Sequence, residues 1–168
     1  MISPLVRRGD KMIKVLFVCL GNICRSPMAE AVFKKKIITT GLDAQIMVGS
    51  AATSRWEVGS PPHQGTKSLL SKHHISCEGM RASQIKASDF EKYDFIIGMD
   101  HNNVLDLKRL APKEKEKNIY LFMSVVDDKI AKDVPDPYYT GDFEETYAMV
   151  DEGTNAWLDY LQKKILKV

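Results

Sequence analysis

Cysteine is scarce in this chain, with three in 168 residues, at positions 19, 24 and 77. That is too few for the disulfide framework of a small secreted domain and fits a reducing compartment. Cys and His do not fall at zinc-ligand spacing. His73 and His74 are adjacent and face different ways, so no metal or other cofactor is expected. No apolar run approaches the ~20 residues that cross a bilayer. Residues 1–11, which include Arg7-Arg8-Gly9-Asp10, lack the apolar centre of a signal peptide. The expected setting is therefore cytoplasmic, with no membrane partner. Charge of one sign is missing too: the net charge is only +2. The densest charged stretch, Lys113-Glu114-Lys115-Glu116-Lys117, alternates in sign, which argues against a nucleic-acid arm.

What the chain does have is an ordinary globular balance, 44% hydrophobic and 27% charged residues. That length and balance suit one domain with one sizeable core. Short apolar runs alternate with longer amphipathic ones, the pattern of a parallel sheet flanked by helices. The pattern predicts strands at 15–19, 44–48, 95–99 and 118–122. It predicts helices over 27–38 (stopped by Gly41), 65–73, 103–110 and 143–166. Asp142 is expected to cap the last helix, with Glu145 reaching back.

The most informative stretch joins the first strand to the first helix: Cys19-Leu20-Gly21-Asn22-Ile23-Cys24-Arg25-Ser26. A tight loop between a strand and a helix N-terminus can converge its backbone N–H groups into an anion site. Arg25 adds a planar fork for two oxygens of a phosphate. Helix N-termini and neighbouring cations favour thiolate over thiol, so Cys19 is a candidate nucleophile. The ordinary reading, a strand-to-helix turn with two buried cysteines, needs none of this, and a bare Cys-x5-Arg spacing is a weak signal without its context.

The longer string from Val18 to Glu30 resembles the signature of the low-molecular-weight protein tyrosine phosphatases, in a bacterial-type member. Two more blocks agree in order and spacing: Ser50-Ala51-Ala52-Thr53-Ser54-Arg55-Trp56 with Pro61-Pro62, and Asp133-Val134-Pro135-Asp136-Pro137-Tyr138-Tyr139. The resemblance runs from Met12 to the C-terminus. It implies a single phosphatase domain over 12–168, preceded by a loose extension over 1–11. The fold implied is α/β: a four-stranded parallel sheet with helices on both faces, Rossmann-like, and the active loop at the carboxyl end of the first strand.

It also implies hydrolysis of phosphotyrosine proteins or small aryl phosphates, through a cysteinyl-phosphate on Cys19 and with inorganic phosphate as product. Arg25 would clamp the phosphate, and Leu20 to Cys24 would cradle it. Ser26 would donate to the sulfur, helping it leave in the second step. Asp136, stiffened by Pro135 and Pro137, would protonate the leaving phenolate and then deprotonate the attacking water; such acid–base help is worth ~10²–10⁴-fold. Asn22 would tie the loop to Ser50 and His73, although His74 stands beside it as a rival. Trp56, Tyr138 and Tyr139 would wall the entrance, too deep for phosphoserine to reach the sulfur; Trp56 has partial core burial as its plain alternative. Cys24 lies close enough in sequence to trap an oxidised Cys19 as a disulfide.

Rival activities exist. Protein arginine phosphatases tend to carry Thr where this chain has Ile23, and thioredoxin-coupled arsenate reductases need a downstream cysteine pair where only Cys77 remains. A silent phosphate-binding module would not be expected to keep both Cys19 and Asp136. Compactness and balanced charge suggest a monomer.

Overall fold

The computed structural model describes residues 12–166, with side chains described as far as residue 164. The expectation of a loose extension over 1–11 lies outside the described residues. Four strands, β1 (Ile13–Cys19), β2 (Ile46–Ala52), β3 (Phe95–Gly98) and β4 (Ile119–Leu121), form one parallel sheet in the order β2-β1-β3-β4. Six α-helices surround it: α1 (Arg25–Thr39), α2 (Gln64–Lys72), α3 (Ala87–Lys92), α4 (His101–Leu110), α5 (Pro137–Thr140) and α6 (Phe143–Tyr160).

Alternation along the central strand sorts the two faces. Val15, Phe17 and Cys19 look toward a core built with Met28, Phe33 and Trp157, from α1 and α6. Leu16 and Val18 look the other way, toward Phe90 of α3 and Leu107 of α4. Phe17 sits edge-on to Phe33 and Phe122, at 5.5 and 5.6 Å between ring centres. Helices therefore cover both faces, as the fold class requires, and β1 is buried along almost its whole length.

Several boundaries differ from the pattern-based expectation. β2 begins two residues later than expected and runs on through Gly49-Ser50-Ala51-Ala52. A weak strand sequence is held there because β1 pairs with it residue by residue, from Ile13↔Ile46 to Cys19↔Ala52. Gly49 is needed for space: a Cβ would come 2.7 Å from the Tyr93 hydroxyl. α1 starts at Arg25, two residues before the expected Pro27, with Cys24 at the N-cap. Gly41, at φ 74°, ends it in a Schellman turn, with Leu42 N–H on Ile37 C=O and Gly41 N–H on Ile38 C=O. α4 starts at His101, because Asp100 and Asn103 cap it reciprocally. Asp142 does cap α6 through the Glu145 N–H, at 2.9 Å. Glu145 makes no return hydrogen bond among the described residues. α6 stops at Tyr160, and residues 161–166 continue as a π-helical turn. The short helices α3 and α5 were not expected.

Candidate active site

β1 delivers Cys19 to the carboxyl end of the sheet, and Arg25 opens α1. Asn22, at φ 57°, takes the left-handed backbone that turns the loop between them. The loop's carbonyls are anchored outward. Those of Cys19 and Leu20 accept from the Thr53 and Ser54 N–H groups, and that of Ile23 from the His63 N–H. That of Cys24 accepts from the Thr66 hydroxyl. A peptide N–H is anti to its carbonyl. The N–H groups of Leu20, Gly21, Cys24 and Arg25 are thereby turned to the loop's interior, the arrangement that binds anions.

The sulfur of Cys19 lies 3.0 Å from Ser26 Oγ and accepts from the Asn22 N–H at 3.3 Å. Asn22 Nδ2 donates to Ser26 Oγ at 2.7 Å and to Ser50 Oγ at 2.9 Å. The Ser26 hydroxyl can then donate to the sulfur, the Ala51 carbonyl at 3.5 Å being the more distant acceptor. The Ser50 hydroxyl donates in turn to Glu30 Oε1. Burial pushes the Glu30 carboxyl above its ordinary pKa, with Ser50 and Lys34 pulling the other way.

Arg25 is 2% exposed. Its Nη1 donates to Asp100 Oδ2 at 2.7 Å and to the Val134 carbonyl at 2.9 Å, and its Nη2 reaches Asp136 Oδ2 at 3.3 Å. Burial disfavours the guanidinium charge. The negative charge at Cys19, Asp100 and Asp136 outweighs it, and the pKa rises. Nε is buried with no partner among the described residues, which leaves one donor of the fork for a ligand oxygen. Asp136 also caps α5, accepting from the Tyr138 N–H at 3.1 Å. Cys24, buried at the end of the loop, is pushed up to about 12 by burial and by the charges of Cys19 and Asp136.

A cleft of about 150 Å³ opens over the sulfur, lined by Cys19, Leu20, Gly21, Ile23, Cys24, Trp56, Glu57, Asp136, Tyr138 and Tyr139. Trp56, Tyr138 and Tyr139 are 76%, 58% and 74% exposed, so all three are rim residues. Partial core burial of Trp56 does not occur.

The sequence profile of the low molecular weight phosphotyrosine protein phosphatases matches residues 14–167. The chain belongs to this family. It is 44% identical over 153 residues to the Bacillus subtilis low molecular weight protein-tyrosine-phosphatase YfkJ, covering 91% of this chain and 98% of YfkJ. The crystal structure of YfkJ superposes with a TM-score of 0.91, over 94% of this chain and 99% of that one. SP-PTP from Streptococcus pyogenes, 46% identical, gives 0.79 over 91% and 95%. Drosophila arginine phosphatase, 31% identical, gives 0.81 over 90% and 99%.

The phosphatase brings Cys19, Arg25, Ser26, Asn22, Ser50 and Asp136 together as the sequence suggested, with one correction. His73 does not join the loop network. It caps the end of α2, and its ring stacks on Tyr147, with centres 4.0 Å apart and planes within 9°. His74 is exposed and does not replace it. The remaining bond to Asn22 Oδ1 comes instead from the Ser83 N–H, at 3.1 Å. A main-chain donor has no side-chain signature, so the sequence could not have named it. Asp100 and Glu30 were also missed. Asp100 had a signal, since it follows β3 at the end of the sheet where α/β folds gather ligands and begins a capping pattern with Asn103. Among the described residues, no group of three His, Cys, Asp or Glu side chains could hold a metal ion.

Proposed function

We propose that Cys19 is the nucleophile, Arg25 the phosphate clamp and Asp136 the acid–base group of this protein-tyrosine phosphatase. The Cys19 thiolate attacks phosphorus as the bond to the phenolic oxygen breaks, and Asp136 gives that oxygen a proton. A cysteinyl-phosphate is left. Water then attacks it, Asp136 takes the water's proton, and inorganic phosphate leaves as Cys19 returns to thiolate. Arg25 and the inward N–H groups of Leu20, Gly21, Cys24 and Arg25 hold the equatorial oxygens, where charge gathers in the transition state. Ser26 lowers the cost of expelling the sulfur by donating to it. Ser50 holds Asn22, which holds Ser26.

One observation carries the reading. Asp136 meets Arg25 Nη2 at 3.3 Å and lines the same small cleft as the Cys19 sulfur. Acid, clamp and nucleophile thus bear on one substrate-sized space. Trp56, Tyr138 and Tyr139 at the rim suit a phenyl ring, and Ile23 adds an apolar wall. The enzyme works as a cytoplasmic monomer on phosphotyrosine proteins or small aryl phosphates.

Turnover of phosphotyrosine, p-nitrophenyl phosphate, phosphoserine and phosphoarginine tests this, with Cys19→Ser and Asp136→Ala alongside. Release from the first two, abolished by Cys19→Ser and reduced about 10²–10⁴-fold on phosphotyrosine by Asp136→Ala, is the expected result. Preference for phosphoarginine would move the substrate to the guanidinium class. Tight phosphate binding without turnover would make the chain a binding module.

A further inference from the structure

The segment that carries Asp136 is tied to the rest of the molecule at four successive residues, Asp133 to Asp136, the Pro135 carbonyl accepting from the Thr146 hydroxyl at 3.3 Å. Val134 N–H donates to the Met99 carbonyl at 3.0 Å, and its own carbonyl accepts from Arg25. Asp136 leans on Arg25. The segment's leading residue, Asp133, is held from outside the loop and the sheet, by the first residue of α4. The His101 backbone N–H donates to Asp133 Oδ1 at 2.9 Å, and His101 Nδ1 meets the same oxygen at 2.6 Å. A carboxylate only accepts, so Nδ1 carries the proton. Asp133 thereby satisfies a free N–H in the first turn of α4 and sets a negative charge at its positive end.

These tethers are not equivalent during the reaction. An incoming phosphate takes the unpartnered Arg25 Nε and competes for Nη2, the donor that holds Asp136. The Arg25–Asp136 contact then weakens at the moment Asp136 has to point at the leaving oxygen. The Asp133 tether does not involve Arg25, and neither do the Val134 N–H bond to Met99 and the Thr146 hydroxyl bond to the Pro135 carbonyl; among these three it is the one made by a side chain of the segment itself.

We propose that His101 is a positioning residue: through its Nδ1–H bond to Asp133 it fixes the acid segment over the cleft once phosphate has engaged Arg25. The proposal rests on Asp136 being the general acid. Its signature is selective. Positioning of the acid matters for a poor leaving group such as the tyrosyl phenol, with a pKa of ~10. It matters little for a strongly acidic phenol that departs unprotonated.

The test is kcat/KM for phosphotyrosine and for 2,4-dinitrophenyl phosphate in wild type, His101→Ala, His101→Asn and Asp136→Ala. In Asn, the side-chain amide can reach Asp133 much as Nδ1 does. His101→Ala should lose about tenfold on phosphotyrosine, a part of the full acid contribution, and less than about twofold on the dinitrophenyl ester. His101→Asn should recover most of the loss. Equal losses on both substrates, no loss on either, or failure of His101→Asn to recover activity would each overturn the proposal. Asp136→Ala reads the underlying assignment separately: if it too shows no leaving-group selectivity, the acid assignment fails, not only the tether.

Discussion

Arg25 holds more of this site together than any other side chain. It is buried, its charge is favoured by Cys19, Asp100 and Asp136, and it grips two separate elements. Lys cannot offer two parallel donors to a phosphate. Arg25→Lys should therefore fold, because the charge remains for Asp100, yet lose about 10²–10³ in kcat on phosphotyrosine; steady-state kinetics beside a melting curve separates the two effects. Glu30 makes a pH prediction. Burial raises its folded pKa above the unfolded value, so its contribution to stability is fully present below the unfolded pKa and is lost as pH rises through the folded one. Glu30→Gln keeps an acceptor for Ser50 without the buried charge. It should raise the urea midpoint at neutral pH and leave it nearly unchanged below about pH 4. Cys24 bears on oxidation. Burial, the largest cause of the upward shift and one that persists when Cys19 is a neutral sulfenic acid, makes the thiol a poor nucleophile at neutral pH. Closure onto an oxidised Cys19 should accordingly be slow and should accelerate with pH, which peroxide treatment and mass spectrometry can follow; a pH-independent rate would contradict that reading of Cys24.

Elements matter where one helix end does two jobs. Asp100 caps α4 through Oδ1 on the Asn103 N–H and pairs with Arg25 through Oδ2. Asp100→Asn keeps a capping side chain and removes the charge. Asp100→Ala removes both and should cost a further ~0.5–2 kcal/mol from the lost cap. Activity should fall in both variants, and chemical denaturation should rank them Asp100→Asn above Asp100→Ala. Cap logic also explains what could be read from the sequence at this scale. The strand-loop-helix around Cys19 was legible because the apolar run, the Gly-containing loop and the amphipathic stretch after it all pointed one way, although the cap itself is Cys24. α5 was not, although Asp136 followed by Pro137 is a helix-start signature; the Pro-Asp-Pro run reads equally well as a stiff loop. The polar half of β2 was illegible because pairing with β1, not propensity, holds it extended. His73 misled because its partner in space, Tyr147, lies far along the chain and no local pattern announces a stacked ring.

Across the whole molecule, the core behind the sheet is packed to its limit at one contact. A Cβ on Gly153 of α6 would run into the Phe122 ring, and that ring also packs on Phe17. Gly153→Ala gains a little helix propensity but overpacks a filled core, at a net cost of ~1–3 kcal/mol. The melting temperature should drop while kcat per folded molecule stays near wild type, because none of these residues lines the cleft. The outward anchoring of the active loop has a different kind of consequence. Its carbonyls are held by Thr53, Ser54, His63 and Thr66, residues that belong to the fold rather than to any ligand. The entropy of shaping the anion cradle is therefore lost during folding, and little remains to be lost on binding. Tetrahedral oxyanions should dock on the resting enzyme almost rigidly, so the reaction's own product is a built-in competitive brake. By mass action the same ion should make the protein harder to melt.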